Sequence, residues 1–188
     1  MPDSTVTGLI LAGGRGSRLD GRDKGWVAYR GRPLIEHVLA RLRPQVDALA
    51  ISANRNLDAY RALGVPVIAD DPELGAFAGP LAGILAALRR LPSEWLAVVP
   101  CDAPALAPDL VARLRAAERP AVAFAAGRVQ PLFCLLPRAG ADSLADYLAG
   151  GGRKAETWLE RIGAARVAFD DADAFANINT PQDLAAAR

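Results

Sequence analysis

Val6-Thr7-Gly8-Leu9-Ile10-Leu11-Ala12-Gly13-Gly14-Arg15-Gly16-Ser17-Arg18-Leu19 opens as a short, mostly apolar run of strand length and breaks at once on glycines. Outward from it, Leu34, Ile35, Val38, Leu39 and Leu42 recur at one-, three- and four-residue steps, a helix stripe closed by Pro44. Further apolar runs predict strands over 48–53, 65–68 and 95–99, and helical spacing predicts helices over 57–63 and 80–91. That alternation is the pattern of an α/β protein.

Beyond residue 100 the pattern loosens. A helix over 108–117 leads to strands over 121–125 and 130–136, joined tightly at Gly127-Arg128. Such a short link requires antiparallel pairing, so the central sheet is expected to be mostly parallel and partly mixed. Helices over 139–148 and 154–162, a strand over 166–169 and a last helix opening at Thr180-Pro181-Gln182-Asp183 complete the chain. No repeat or linker interrupts it, and residues 1–188 read as one domain.

The 188 residues carry 22 Lys+Arg against 21 Asp+Glu, a formal net charge of +1, so electrostatics give no case for a nucleic-acid or membrane partner. The 52% hydrophobic and 23% charged composition excludes a disordered chain. Cys101 and Cys134 both sit in apolar runs and read as buried free thiols. His37 is the lone histidine, which excludes a metal site built on two imidazoles. Without an apolar leader or a run of spanning length, the expected compartment is the cytoplasm.

Arg15, Arg18 and Lys24 crowd the first glycine turn, and Asp20-Gly21-Arg22-Asp23 keeps the segment a loop. A solvated charge run alternates sign along a helix; this one gathers at a strand's carboxyl end, where open α/β sheets bind ligands. Backbone N–H groups and point charges so placed suit a polyphosphate. The two best-known nucleotide fingerprints are absent: no Lys-Ser/Thr pair follows the glycines, and Leu19 stands where the last glycine of G-x-G-x-x-G belongs. A plain strand-to-helix turn is the alternative.

Asp102 lies beyond the 95–99 strand between Pro100 and Pro104. A carboxylate there suits Mg²⁺, whose octahedron substrate phosphates complete, or else a turn aspartate. Asp70-Asp71 repeats the pattern after the 65–68 strand. The glycine-rich 75–83 loop runs into a helix, offering either an anion site at the helix start or close packing at Gly83. Gly150-Gly151-Gly152-Arg153-Lys154 is either an anion site or a solvated loop. Asn177-Ile178-Asn179 sets two amides on alternate residues, suited to a polar heterocycle or to ordinary turn chemistry.

Leu11-Ala12-Gly13-Gly14, Arg18 and Asp23-Lys24-Gly25 together resemble the signature of nucleotidyltransferases that couple a nucleoside triphosphate to a phosphate-bearing acceptor. With Asn54-Arg55-Asn56, Gly79-Pro80-Leu81-Ala82-Gly83, Pro100-Cys101-Asp102-Ala103-Pro104, Gln130-Pro131-Leu132-Phe133, Arg153-Lys154 and Asn177-Ile178-Asn179-Thr180-Pro181 in order, nearly the whole chain resembles the molybdenum cofactor guanylyltransferases, the MobA-like family. The resemblance implies a Rossmann-like, three-layer α/β fold, GTP as substrate, Mg²⁺ as cofactor, and molybdopterin or its molybdenum-bearing form as acceptor. It implies that Leu11, Ala12, Gly13, Gly14, Ser52, Asn54, Asp70, Gly79 and Pro80 hold the nucleotide. Arg18, Lys24 and Asp102 would be catalytic, with Lys24 and Asp102 also on the nucleotide and Asp102 on the metal; Arg153, Lys154, Asn177 and Asn179 would face the acceptor. Ser52 departs from the asparagine common in the family, leaving open which of Ser52 and Asn54 reads the base. A monomer is expected, and the resemblance further implies that the product passes to molybdoenzymes or their chaperones. A CTP-using molybdopterin enzyme, a sugar-phosphate nucleotidyltransferase and a non-catalytic nucleotide-binding adaptor are the alternatives.

Overall fold

The computed structural model describes residues 4–12, 23–72, 79–178 and 183. Its centre is a seven-stranded sheet in the order β5-β4-β1-β6-β8-β7-β9. The strands are β1 (Val6–Leu11), β4 (Ala48–Ser52), β5 (Val67–Ile68), β6 (Trp95–Pro100), β7 (Ala121–Ala125), β8 (Arg128–Pro137) and β9 (Ala165–Ala168). β1 pairs in parallel with β4 and β6, β4 with β5, and β7 with β9; β8 runs antiparallel to β6 and β7. The expected mixed, mostly parallel sheet is therefore observed.

Among the described residues six helices cover the sheet: α1 (Leu34–Leu42), α2 (Leu57–Arg61), α3 (Pro80–Arg90), α4 (Leu110–Arg115), α5 (Ala141–Ala149) and α6 (Ala155–Arg161). Strand residues alternate between two apolar layers, which makes the three-layer arrangement. Val6 and Ile10 of β1 pack with Val38 and Leu42 of α1, Tyr60 of α2 and Leu114 of α4. Leu9 faces the other way, into Leu81, Ile84 and Leu85 of α3 with Leu144 of α5 and Trp158 of α6.

Two expectations are corrected and one element is added. The 65–68 strand shortens to β5 because Pro66 lends Ile51 a carbonyl but has no N–H to return. The helix expected over 108–117 spans only Leu110–Arg115. An unexpected hairpin, β2 (Ala28–Tyr29) with β3 (Arg32–Pro33), turns through Arg30 and Gly31 at φ of 47° and 77°. Its two-residue strands are too short to register as a period-2 pattern. The helix expected to open at Thr180 lies outside the described residues except for Asp183.

Candidate active site

Parallel strands end on one edge of a sheet, so loops distant in sequence meet there. Leu11 and Ala12 leave β1, Ser52 and Asn54 close and follow β4, Asp70 follows β5, and Asp102 follows β6. Backbone bonds tie these ends together: Ala12 N–H donates to the Ser52 carbonyl at 2.8 Å, Ala53 N–H to Ile68 at 3.0 Å and Cys101 N–H to Leu11 at 3.0 Å. Gly79 and Pro80 open α3 beside them; Gly79 sits at φ 73°, ψ −164°, which side chains other than hydrogen resist. Gly13, Gly14 and Arg18 lie outside the described residues.

Lys24 starts a 3-10 turn, Lys24–Trp26, whose preceding residue Asp23 accepts the Gly25 N–H at 3.3 Å. The turn delivers the Lys24 ammonium onto Asp102 Oδ2 as an ion pair. Asp102 is 5% exposed, and its Oδ1 is buried without a hydrogen-bond partner among the described residues. A half-satisfied buried carboxylate carries an unmet demand for positive charge. One open carboxylate oxygen fits Mg²⁺, which is commonly held by one or two carboxylates with substrate phosphates and water supplying the rest. Among the described residues no cluster of three His, Cys, Asp or Glu forms a metal site from protein ligands.

Ser52 and Asn54 differ in what they can reach. Ser52 is 3% exposed and its Oγ lies against Gly83 of α3, so close that a methyl group on Gly83 would overlap it. Asn54 is exposed and grips Asp70 twice: its Nδ2 donates to Asp70 Oδ2 at 2.8 Å, and its Oδ1 accepts the Asp70 N–H at 2.9 Å. Burial raises the Asp70 carboxyl above its ordinary value, while the Asn54 bond and the charge of Arg90 pull it back.

The acceptor-side candidates arrive by a different route. β8 runs against β6, with Pro137 opposite Trp95; α5 follows β8, and Gly150 to Lys154 follow α5. Arg153 turns its Nη1 onto the carbonyls of Leu148 at 2.9 Å and Gly152 at 2.6 Å, closing the end of α5. Lys154 precedes α6, and its carbonyl accepts the Tyr147 hydroxyl at 3.0 Å. Ile178 N–H donates to the Asp102 carbonyl at 2.8 Å, which brings the exposed Asn177 beside the metal-candidate loop. Asn179 lies outside the described residues.

Sequence reasoning placed Asp23 and Asn56 within motifs but named neither of them, nor Tyr60, as a site residue. Asp23 is buried, accepting the Tyr60 hydroxyl at 2.6 Å and the Asn56 amide at 2.9 Å, with Arg55 Nε 3.8 Å away. Tyr60 falls within the helix expected over 57–63, and its hydroxyl carries no periodic signal. The placement of Asp23 directly before Lys24 was the available clue.

The model of the MobA-like NTP transferase domain matches residues 8–167 of the chain. The chain belongs to the MobA-like NTP transferase family. Like the rest of that family, it is a nucleotidyltransferase. A molybdenum cofactor guanylyltransferase of Cupriavidus taiwanensis is 52% identical to it over 191 residues, spanning 96% of this chain and 95% of that protein. Molybdopterin-guanine dinucleotide biosynthesis protein A from Archaeoglobus fulgidus superposes with a TM-score of 0.76 at 27% identity, covering 96% of each chain. A CMP:2-keto-3-deoxy-manno-octonic acid synthetase complexed with CTP shares the fold, with a TM-score of 0.75 at 14% identity over 97% of this chain and 96% of that one.

Proposed function

We propose that this MobA-like nucleotidyltransferase transfers GMP from GTP to the terminal phosphate of molybdopterin or its molybdenum-bearing form, releasing pyrophosphate. The observation that carries this reading is the buried Asp102, paired to Lys24 through one oxygen, open at the other, and hydrogen-bonded through its carbonyl to the segment bearing Asn177. Names of relatives at about half identity point to the guanine nucleotide and this acceptor.

In this reading Leu11, Ala12, Gly79 and Pro80 line the nucleotide's cradle together with Gly13 and Gly14. Asn54, exposed and locked to Asp70, reads the base, while the buried Ser52 supports α3 beneath it. Asp102 would hold Mg²⁺, which supplies charge neutralisation on the nucleotide's phosphates. Lys24 and Arg18 compensate the remaining phosphate charge, and Arg153, Lys154, Asn177 and Asn179 orient the acceptor. An acceptor phosphomonoester has a second pKa of about 6, so it is already a dianion at neutral pH and needs no general base. Its oxygen attacks the α-phosphorus in line, a new P–O bond forms, the α–β bridge breaks, and the electron pair leaves with pyrophosphate. The chain's contribution is alignment and fixed positive charge.

Residues 1–188 act as one domain, the first half on nucleotide and the second on acceptor. We place the monomeric enzyme in the cytoplasm, where the free thiols of Cys101 and Cys134 suit a reducing medium, delivering product to molybdoenzymes or their chaperones.

The test is a competition of GTP, CTP, ATP and UTP for transfer to molybdopterin, followed by pyrophosphate release and product mass. A guanine dinucleotide product supports the reading; a cytosine product replaces the base; nucleotide binding with no pyrophosphate moves the chain to a non-catalytic role.

A further inference from the structure

Lys24 hangs on four rotatable bonds, so an ammonium that meets Asp102 reproducibly needs a rigid backbone behind it. Asp23 supplies this rigidity. Its carboxylate is buried and accepts three donors, the Tyr60 hydroxyl, the Asn56 amide and the Gly25 N–H, with Arg55 Nε near the Asn56-bound oxygen. The turn around Lys24 closes through Trp26 N–H to the Asp23 carbonyl and Val27 N–H to the Lys24 carbonyl. Tyr60 is fully buried, with Trp26 tilted over its ring at 5.2 Å. Burial, and then the bond to Asp23, hold the phenol protonated across the working range, so it remains a donor. A methyl group on Gly25 would come within 2.5 Å of the Tyr60 oxygen, so glycine there lets the phenol reach past the turn. Asn56 sits at φ 51°, a left-handed conformation that aims its amide back at Asp23.

We propose that Asp23, Tyr60 and Asn56 form a buried clamp that positions Lys24 for the transfer step, linking the base-side loop after β4 to the catalytic lysine. None of the three touches the reacting phosphates; each acts through the Lys24 turn. The inference rests on the guanylyl-transfer reading for its kinetic readout only.

The chain has two lysines, Lys24 and Lys154. Selective ¹³Cε labelling of lysine therefore gives two side-chain resonances, assigned by Lys24→Ala, and Lys24 can be followed without turnover. Tyr60→Phe removes the hydroxyl and little else; Asn56→Gly removes the amide while tolerating the positive φ. In both variants the Lys24 resonance should move toward that of an unrestrained lysine while Lys154 stays in place. The transfer kcat should fall about tenfold with KM for GTP changed less than about twofold, since misplacement acts on the step that Lys24 serves. In a Lys24→Ala background Tyr60→Phe should lower kcat no further, because residues acting as one unit are not additive.

An unmoved Lys24 resonance in both variants overturns the clamp, as does a Tyr60→Phe loss that multiplies fully onto Lys24→Ala. If the wild-type protein transfers no guanylyl group, the guanylyl-transfer reading fails on its own, and the resonances still decide whether the clamp holds Lys24.

Discussion

Replacing Asp102 with asparagine separates what this residue does for the fold from what it does for chemistry. In the folded protein its Oδ2 pairs with Lys24, whose side chain is 25% exposed, and its Oδ1 is buried with no partner among the described residues. A partly solvated ion pair contributes about 1 kcal/mol or less. An unsatisfied buried polar atom costs about 1–3 kcal/mol, more when charged. Asparagine keeps the volume and still leaves a buried polar atom unpaired, so it relieves only the charged part of that cost; this partial relief roughly cancels the lost ion pair, and Asp102→Asn should leave stability almost unchanged. In a chain of this size 1 kcal/mol moves Tm by about 2–4 °C, so Tm should stay within about 4 °C of wild type. Transfer of GMP should nevertheless fall at least about 100-fold, the scale of losing one preorganised charge at a reacting centre. Thermal unfolding by circular dichroism and pyrophosphate release on the same preparations provide both numbers. A drop in Tm of about 10 °C or more, the signature of a broken buried pair, would falsify the offset. A transfer rate within about threefold of wild type would remove Asp102 from the catalytic step.

Gly83→Ala should destabilise by about 1–3 kcal/mol in urea unfolding, because the new methyl overlaps Ser52 Oγ and lies 3.3 Å from Asp70 Oδ1; Ser52→Ala should recover part of the loss, and a neutral Gly83→Ala would show that α3 has room. Asp70→Asn should raise Tm at neutral pH, since burial raises this carboxyl in the folded state and makes its ionised form costly. That advantage should shrink as pH falls through the folded-state value and vanish below the ordinary value of 3.8; a gain that persisted there would have another origin. Burial pushes the Cys134 thiol up to about 12 and raises Cys101 further, with the Asp102 charge adding to it. The native protein at pH 8 should therefore resist thiol reagents that label both residues after denaturation, and rapid stoichiometric labelling of the folded chain would contradict the burial.

Much of the fold was legible because its signals are local. The Leu34 to Leu42 stripe, the Ala121 to Ala125 strand and the tight turn before β8 each express a period or a turn chemistry within a few residues. The hairpin of β2 and β3 was not legible, since two-residue strands carry no period.

The sequence by itself determined the α/β alternation, the antiparallel pairing of β7 with β8, the buried thiols and the identity of the residues at strand ends, Ala12, Asn54, Asp70 and Asp102. These follow from side-chain hydrophobicity, glycine and proline geometry, and short-range spacing. Only the tertiary structure separated Ser52 from Asn54, by burying one under Gly83 and exposing the other against Asp70. It alone brought Tyr60 to Asp23 across 37 positions, Lys24 to Asp102 across 78, and Ile178 to the Asp102 carbonyl. A hydroxyl or carboxylate finds its partner in space, and a linear pattern carries no record of what lies across a folded sheet edge.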